Sequence, residues 1–327
     1  MRNEPDKTLL IIDGNSLVNR EYYGMPPMSS KGGVPTNAVL GFVNKLIKYT
    51  DAFSPDYAAV AFDLPDPTFR HRQYPGYKAS RKGMPDELAM QLPYVKEACG
   101  IFGFTVVSEP GYEADDILGT LAKKAGEVGD ENIRTYIMTG DRDSFQLVSE
   151  RVNVLYLSGA TPTEYGPQRI SDEYGIEPKQ LIDVKALMGD ASDEIPGIKG
   201  IGEKTALTLI RENGSLAAVY EKLEAGRLES SPSVKKKLSE GKSDALMSQQ
   251  LAEICADVPL DMNTIFEKRE CDKAKLYEFC KKLELFSVIK KLKLSAAESI
   301  ENEQIQMGFE EEIEATEDIF DALEDIF

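Results

Sequence analysis

Short, β-rich apolar runs recur along the first half of the chain, and longer amphipathic stretches separate them. The runs are TLLII (8–12), YAAVAF (57–62), FTVV (104–107), RTYIM (134–138) and VNVLYL (152–157). Several are apolar at consecutive rather than alternate positions, the pattern of strands buried on both faces. The stretches between them, roughly 36–52, 86–102, 114–128 and 143–149, carry apolar residues at helical spacing. This alternation predicts an α/β fold: a mostly parallel, twisted sheet with helices on both faces. Beyond about Gly166 the strand-like runs stop, and to Leu294 the chain reads as short helices punctuated by Gly, Pro and Ser. The expected organisation is an α/β body over 1–165, a helical region over 166–294, and an acidic tail over 295–327 that is too poor in packing residues to fold.

Charge is unevenly spread. The 327 residues carry 38 Lys and Arg against 56 Asp and Glu, a formal charge of −18, yet residues 298–327 hold twelve of those acids and no base. The remaining 297 residues carry only −6. Within them Thr68 to Pro85 holds Arg70, Arg72, Lys78, Arg81 and Lys82 with no acid, and smaller basic clusters lie at 235–237 and 281–293. An acidic total is thus compatible with a polyanionic ligand if these patches share a face. The tail repeats EDIF at 317–320 and 324–327, a pattern open to either a short partner-binding helix or an unstructured end.

Chemistry is narrowed by what the chain has little of. His71 is the single histidine, and Cys99, Cys255, Cys271 and Cys280 show no C-x-x-C spacing. Multi-His metal sites, zinc ribbons and Ser–His or Cys–His nucleophile pairs are therefore disfavoured, and carboxylates and lysines are left to do any work. No run is long enough to span a bilayer, no secretory segment opens the chain, and a reducing, cytoplasmic home fits the cysteines.

The carboxylates fall where a parallel sheet would gather them. Asp13 follows TLLII directly, Asp63 follows YAAVAF, and Asp141 and Asp143 follow RTYIM through a Thr-Gly turn. The C-terminal ends of parallel strands share one rim, where ligands bind. GYEADD adds Glu113, Asp115 and Asp116 at a helix start, and MGDASDE adds Asp190 and Asp193. Each acid alone is explained by capping or turn chemistry. Nine together would repel and raise one another's proton affinity unless cations sat among them. Oxygen-only ligation points to Mg²⁺ or Mn²⁺, and the number of acids suits two ions, which ~4 Å apart can activate water and hydrolyse a phosphodiester.

The segment PGIKGIGEKTA (196–206) misses a P-loop, because Glu203 separates Gly202 from Lys204 and no strand precedes it. It reads instead as a helix–hairpin–helix over 190–212. Gly197, Gly200 and Gly202 would let backbone N–H groups approach phosphates, with Lys199, Lys204 and Thr205 beside them and the positive end of a helix behind. Such contacts grip duplex DNA without reading bases.

The segments IIDGNSLVNREYYG, AVAFD, TFRHRQYPGYKASRKGMPDEL, GYEADD, TGDRDSFQLV and DVKALMGDASDEIPGIKGIGEKTA, in this order, resemble the 5′ nuclease (flap endonuclease) family, over residues 7 to 292 or so. The similarity is greatest to the N-terminal 5′→3′ exonuclease domains of bacterial DNA polymerases I. The resemblance implies a PIN-like or resolvase-like nuclease core that cuts 5′ flaps and 5′ ends at nicks in primer removal and repair, acting on DNA and RNA primers. By matching motif it assigns the nine acids to two metal ions, some of them through water. It gives Arg20, Arg70, Lys78 and Arg81 to the scissile phosphate and the 5′ strand, and Tyr77 to stacking on a base. It places a helical arch around 70–95, through which a single strand passes, and a K⁺ ion at the hairpin. It further implies a bacterial, nucleoid-associated monomer.

The stretch LYLSGATPTEYG (155–166) carries no base where relatives often do, which puts a DNA contact there in doubt. After the matched region no second nuclease or polymerase segment follows, so both a free-standing nuclease and a fragment ending in a connector fit. The tail is a candidate dock for a polymerase or sliding clamp. A catalytically inactive DNA-binding relative is the competing reading, though no acid and no arch lysine is missing. A carboxylate-metal phosphatase would leave the hairpin and basic arch unexplained.

Overall fold

The computed structural model describes residues 7–127, 133–159 and 161–295; the acidic tail from 296 lies outside the described residues. Its centre is a six-stranded sheet of order β3-β2-β1-β4-β5-β6, built from β1 (Lys7–Asp13), β2 (Tyr57–Ala61), β3 (Thr105–Val107), β4 (Ile133–Thr139), β5 (Val152–Tyr156) and β6 (Thr163–Tyr165). The first five run parallel, and β6 pairs antiparallel with β5 on the edge. Strand order reverses direction between β1 and β4, so the crevice above their C-terminal ends is the switch point where α/β sheets take ligands.

The apolar run of β1 shows why the sheet is covered on both sides. Leu9 and Ile11 point into one core and Leu10 and Ile12 into another, all fully buried. Each such side chain contributes about 1.5–3 kcal/mol relative to exposure. On the second face lie α1 (Gly14–Gly24), α2 (Asn37–Phe53) and α5 (Leu92–Ile101), joined to the sheet by short connections and by α3 (Phe69–Gln73) and α4 (Asp86–Ala89). On the first face lies α6 (Ala114–Ala125), followed by α7 (Pro167–Tyr174), α8 (Gln180–Met188), α9 (Glu203–Asn213) and α10 (Leu216–Glu224). Residues of α8–α10, including Val184, Leu187, Leu209 and Val219, belong to the same buried cluster as Ile137 of β4.

After α11 (Pro232–Glu240) and α12 (Lys242–Ala252) the chain returns to the sheet. There α13 (Lys273–Lys282) and α14 (Phe286–Leu292) pack Leu276, Phe279 and Val288 into the core of the second face, and Asp272 N donates to the Ile101 carbonyl at 2.9 Å. Residues 166–294 are therefore not one separate helical layer, because their last two helices complete the sheet body.

Other departures from the sequence reading have local causes. The stretch 86–102 is two helices rather than one: Pro93 cannot donate within a continuous helix, and Gln91 at the break turns inward. The Gln91 side chain is fully buried. Its Oε1 accepts from the N–H groups of Ala38 and Val39 (2.8 and 3.2 Å), and its Nε2 donates to Asn37 Oδ1 and the Glu87 carbonyl (3.0 and 3.1 Å). It thereby does for α2 what the Thr36 side chain does not. The stretch 143–149 is a single 3₁₀ turn (Asp143–Leu147). In place of a helical arch over 70–95, residues 74–85 form turns and extended chain between α3 and α4. Helix α1 was hidden between two glycines. Gly14 is needed at its start because a Cβ there would stand 2.4 Å from the Phe62 ring.

No described helix is long and apolar enough to cross a membrane. Gln91→Ala should lower the free energy of unfolding by about 2–3 kcal/mol, because it strands buried partners on α2; urea titration followed by circular dichroism checks this. A loss below ~0.5 kcal/mol would show that the cap is dispensable.

Candidate active site at the rim of the parallel strands

A cleft of about 280 Å³ opens at the switch point. Asp13, Asp63, Glu113, Asp115 and Asp141 line it together with Asn15, Ser16, Asn19, Lys78 and Arg81. Backbone contacts aim three of these acids. Asp13 ends β1 and caps α1, accepting from Ser16 N at 2.9 Å, while its other oxygen takes the Thr139 hydroxyl at 2.8 Å. Asp63 accepts from Ala114 N (2.7 Å), and its own N–H donates to Asn15 Oδ1 (3.0 Å). Asp141 N donates to Thr139 Oγ1 (3.0 Å), and Asp141 Oδ1 accepts from Asp143 N (2.9 Å). Asn15, Ser16 and Asn19 of α1 were not singled out from sequence, although they lie within the same IIDGNSLVN segment that carries Asp13.

Within the described residues the nine acids divide into two sets. Five are ion-paired. Lys78 Nζ bonds Glu113 at 2.8 Å and stands 3.7 Å from Asp193; Arg81 bonds Asp193 at 2.5 Å; Lys185 bonds both Asp143 and Asp190; Arg70 bonds Asp116. Asp13, Asp63, Asp115 and Asp141 enter no ion pair there. Burial pushes the Asp13 carboxyl up to about 7, with the charges of Asp63 and Asp141 adding to it. Burial and the neighbouring Asp141 and Asp13 charges raise Asp115 well above the ordinary carboxylate range. Burial also raises Asp63 and takes Asp143 to about 6 despite Lys185.

The donor set fits a hard divalent cation. It is all oxygen, several members resist ionising without a positive neighbour, and among the described residues the buried Asp115 Oδ1 has no hydrogen-bond partner. As placed, no three acids of the described residues close on a single point. Bonds of ~2.1 Å to a bound ion would need these like-charged side chains to draw inward.

Asp116 has a different role from its neighbours. It is fully buried and accepts from both Arg70 terminal nitrogens (2.8 and 2.7 Å), from Glu113 N (3.0 Å) and from Cys255 N (2.9 Å). With its lone pairs so occupied it is unsuited to ligate an ion, and capping explains it. Arg70, 2% exposed, also donates to the carbonyls of Leu251 (3.0 Å) and Glu253 (2.7 Å). It ties α3, α6 and the end of α12 together and presents no face to a substrate. Tyr77 is likewise buried, its hydroxyl donating to Glu113 at 3.0 Å, so it offers no stacking surface in this structure. His71 Nδ1 accepts from Thr68 N as a cap of α3.

The loop over 74–85 is held down on the hairpin side. Lys78 N donates to the Asp193 carbonyl (3.1 Å) and Ser80 N to Glu194 Oε1 (2.8 Å), and Lys78 and Glu194 both adopt left-handed backbone (φ 52° and 53°). Strain of this kind persists where surrounding contacts over-determine it. Arg20, on α1, donates to the carbonyls of Leu157 (2.6 Å) and Gly159 (2.7 Å) and so braces the segment leaving β5.

At the hairpin, Lys199, Gly200, Gly202 and Lys204 are exposed and Thr205 partly so. Gly197 is buried instead: its N–H donates to Ser248 Oγ (2.9 Å), and at φ 56° a Cβ would stand 2.2 Å from Gly189 N. Its role is to close the hairpin, not to meet DNA. Lys185 went unnoticed in sequence; its one signal is a lysine inside the otherwise apolar run VKALM.

A parallel α/β body with a carboxylate rim, flanked by a lysine- and arginine-bearing loop and a glycine hairpin, defines a nuclease of the 5′-end-directed class. Comparison with known proteins agrees. Residues 8–175 match the family described as 5′-3′ exonuclease, N-terminal resolvase-like domain, and residues 176–275 match 5′-3′ exonuclease, C-terminal SAM fold. The chain belongs to the 5′-3′ exonuclease family and is an enzyme of that class. It is 40% identical over 292 residues to DNA polymerase I of Caldicellulosiruptor bescii, covering 88% of this chain and 34% of that protein. It is 39% identical over 286 residues to the thermostable DNA polymerase I of Thermus thermophilus, covering 88% and 33%. The chain thus spans about a third of the length of these relatives. Among solved structures, phage T5 D15 protein co-crystallised with metal ions superposes with a TM-score of 0.64 at 21% identity, covering 76% of this chain and 90% of that one. The catalytic core of Rad2 in complex with DNA substrate gives 0.57 at 19%, covering 85% and 88%.

The raised carboxyls make a sign-definite prediction. A folded-state proton affinity raised above the unfolded one gives stability at low pH that is lost as pH climbs through about 7. Asp115, raised by burial and by the Asp141 and Asp13 charges, follows the same sign, so Asp115→Asn should stabilise the metal-free protein at pH 8. The same change should abolish the rise in melting temperature that 5 mM Mn²⁺ gives the unsubstituted chain. Thermal melts with and without Mn²⁺ test both; a destabilised variant that still responds to Mn²⁺ would contradict the assignment.

Proposed function

We propose that this chain is a divalent-metal-dependent 5′→3′ exonuclease and flap endonuclease that hydrolyses phosphodiesters of DNA and of RNA primers at 5′ flaps, nicks and ends. The observation that carries this reading is the cleft in which four acids without ion pairs stand beside Lys78 and Arg81. Asp13, Asp63, Asp115 and Asp141 would hold one Mg²⁺ or Mn²⁺, and Asp143, Asp190, Asp193 and Glu113 would serve a second directly or through water. Bound there, the metal supplies an activated water and charge to offset the phosphoryl oxygens.

The chain's own groups do the rest. Lys78 and Arg81 lie in the same cleft and would leave Glu113 and Asp193 to meet the added negative charge of the transition state. The left-handed backbone at Lys78 fixes where its side chain starts. Asn15 and Asn19 offer neutral donors at the cleft wall. Arg70 and Asp116 do not touch the phosphate; they set the base of the loop that carries Lys78. Farther out, the N–H groups at Gly200 and Gly202, with Lys199, Lys204 and Thr205, would grip the duplex backbone without regard to sequence. A K⁺ ion at that hairpin belongs to the same reading.

Labour is divided accordingly, with cutting by the body up to 165 together with Asp190 and Asp193, and duplex holding by the hairpin. The place of action would be the bacterial cytoplasm beside the chromosome, as a monomer, in primer removal and repair. A polymerase or sliding clamp is the partner assigned to the tail, which lies outside the described residues. The T5 protein was crystallised with metal ions and Rad2 with DNA substrate, which supports the metal and the ligand class.

The test is a 5′-labelled flap duplex. Mg²⁺ should allow it to be shortened and EDTA should stop the reaction. Lys78→Ala should slow single-turnover cleavage by at least ~10²-fold with duplex affinity within about threefold, as for other preorganised electrostatic groups. No cleavage by the unsubstituted chain would favour the inactive DNA-binding relative, and an unchanged Lys78→Ala rate would return that lysine to surface charge.

A further inference from the structure

Lys185 is a buried charged group to which the proposed reaction gives no role. It sits in the last turn of α8, 7% exposed, and its ammonium bonds Asp143 from the 3₁₀ turn after β4 and Asp190 (2.7 Å) from the hairpin. One cation thus joins two acids that belong to separate parts of the chain. Burial works against the charged ammonium, but the two carboxylates outweigh it and raise its proton affinity. The same contact, with Ser192, holds Asp190 down to about 2 against the effect of burial.

A lysine suits a replaceable role better than a buried arginine would. Its charge is compact and its stem flexible, whereas a guanidinium locks into a planar fork such as the one Arg70 makes with Asp116. The ammonium also has somewhere to move. A second cleft of about 400 Å³, which shares Asp141 with the first, is lined by Lys185, Asp143 and Asp190 and also by Glu203, a carboxylate at the start of α9.

We infer that Lys185 is a resident counter-ion that fills the charge position between Asp143 and Asp190, so that a second divalent cation enters only by exchange with its ammonium. This rests on the metal-dependent reading above and adds an order to it. The first ion enters the acids that form no ion pair among the described residues, and the second competes with Lys185 and is correspondingly weaker. The hairpin-borne Asp190 is released from Lys185 only when that second ion arrives.

Mn²⁺ titration of the full chain by calorimetry, without DNA, tests the exchange. The unsubstituted protein should bind one ion tightly and a second at least tenfold more weakly. Lys185→Met keeps the stem and removes the charge; it should tighten the weaker site at least tenfold and leave the tighter within twofold. Lys185→Arg should not tighten it. An unchanged or weakened second site in Lys185→Met overturns the counter-ion role. The absence of any specific Mn²⁺ binding by the unsubstituted chain would instead overturn the metal-dependent reading itself. Should Lys185→Met fail to fold, reductive methylation of the unsubstituted protein decides the matter. Read by mass spectrometry, labelling of Lys185 should rise at least fivefold between Mg²⁺ concentrations that fill the first site and those that fill the second. Flat labelling would overturn the proposal.

Discussion

Repulsion among carboxylates gathered on one rim is the constraint to which the rest of the molecule answers. Two unit charges ~5 Å apart repel by roughly 3 kcal/mol at the effective dielectric of a protein site. A set of nine would be intolerable without compensation. The chain supplies part of it from within: Arg70, Lys78, Arg81 and Lys185 are each bonded to acids of the set. Protons supply another part, since Asp13, Asp115 and Asp143 bind them far more readily than ordinary carboxyls do. Among the described residues Asp13, Asp63, Asp115 and Asp141 remain without an ion pair, and they line the cleft that opens at the sheet's switch point.

This arrangement makes site and fold hard to separate. The internal cations come from α3, the loop after it and α8, and each pairs with an acid on a different segment. Arg70 binds Asp116 at the start of α6 and the carbonyls that end α12, while Lys185 joins the turn after β4 to the hairpin. Removing one partner of such a buried pair leaves the other charge stranded, which is far costlier than the pair is favourable. The acids are thus held on a scaffold whose ties are themselves electrostatic. A ligand that changes the charge balance at the rim acts on the contacts that set the arch and hairpin.

Much of this was legible from residue order because parallel strands deliver their succeeding residues to one edge. Asp13, Asp63 and Asp141 could be placed together on that ground alone, and the glycines of 197–202 marked the hairpin. What adjacency could not reveal was which acid would be satisfied by its own neighbours. Asp115 and Asp116 differ by one residue, but a helix turns ~100° between them. One consequently faces the cleft and the other the Arg70 fork. The burial of Tyr77 and Gly197 was not legible for a related reason, since a residue type common in nucleic-acid contacts serves equally well in a core or a tight turn. Lys185 and the return of α13 and α14 to the sheet depend on contacts between segments distant in sequence, which no local pattern encodes.

The central claim is that the four acids without an ion pair among the described residues are completed by a divalent ion. Anomalous diffraction from a crystal of the full chain grown or soaked with Mn²⁺ tests it most directly. The account predicts an anomalous peak within bonding distance of oxygens from at least two of Asp13, Asp63, Asp115 and Asp141. A well-ordered cleft without such a peak at saturating Mn²⁺, or a peak held instead by Asp116, would contradict it.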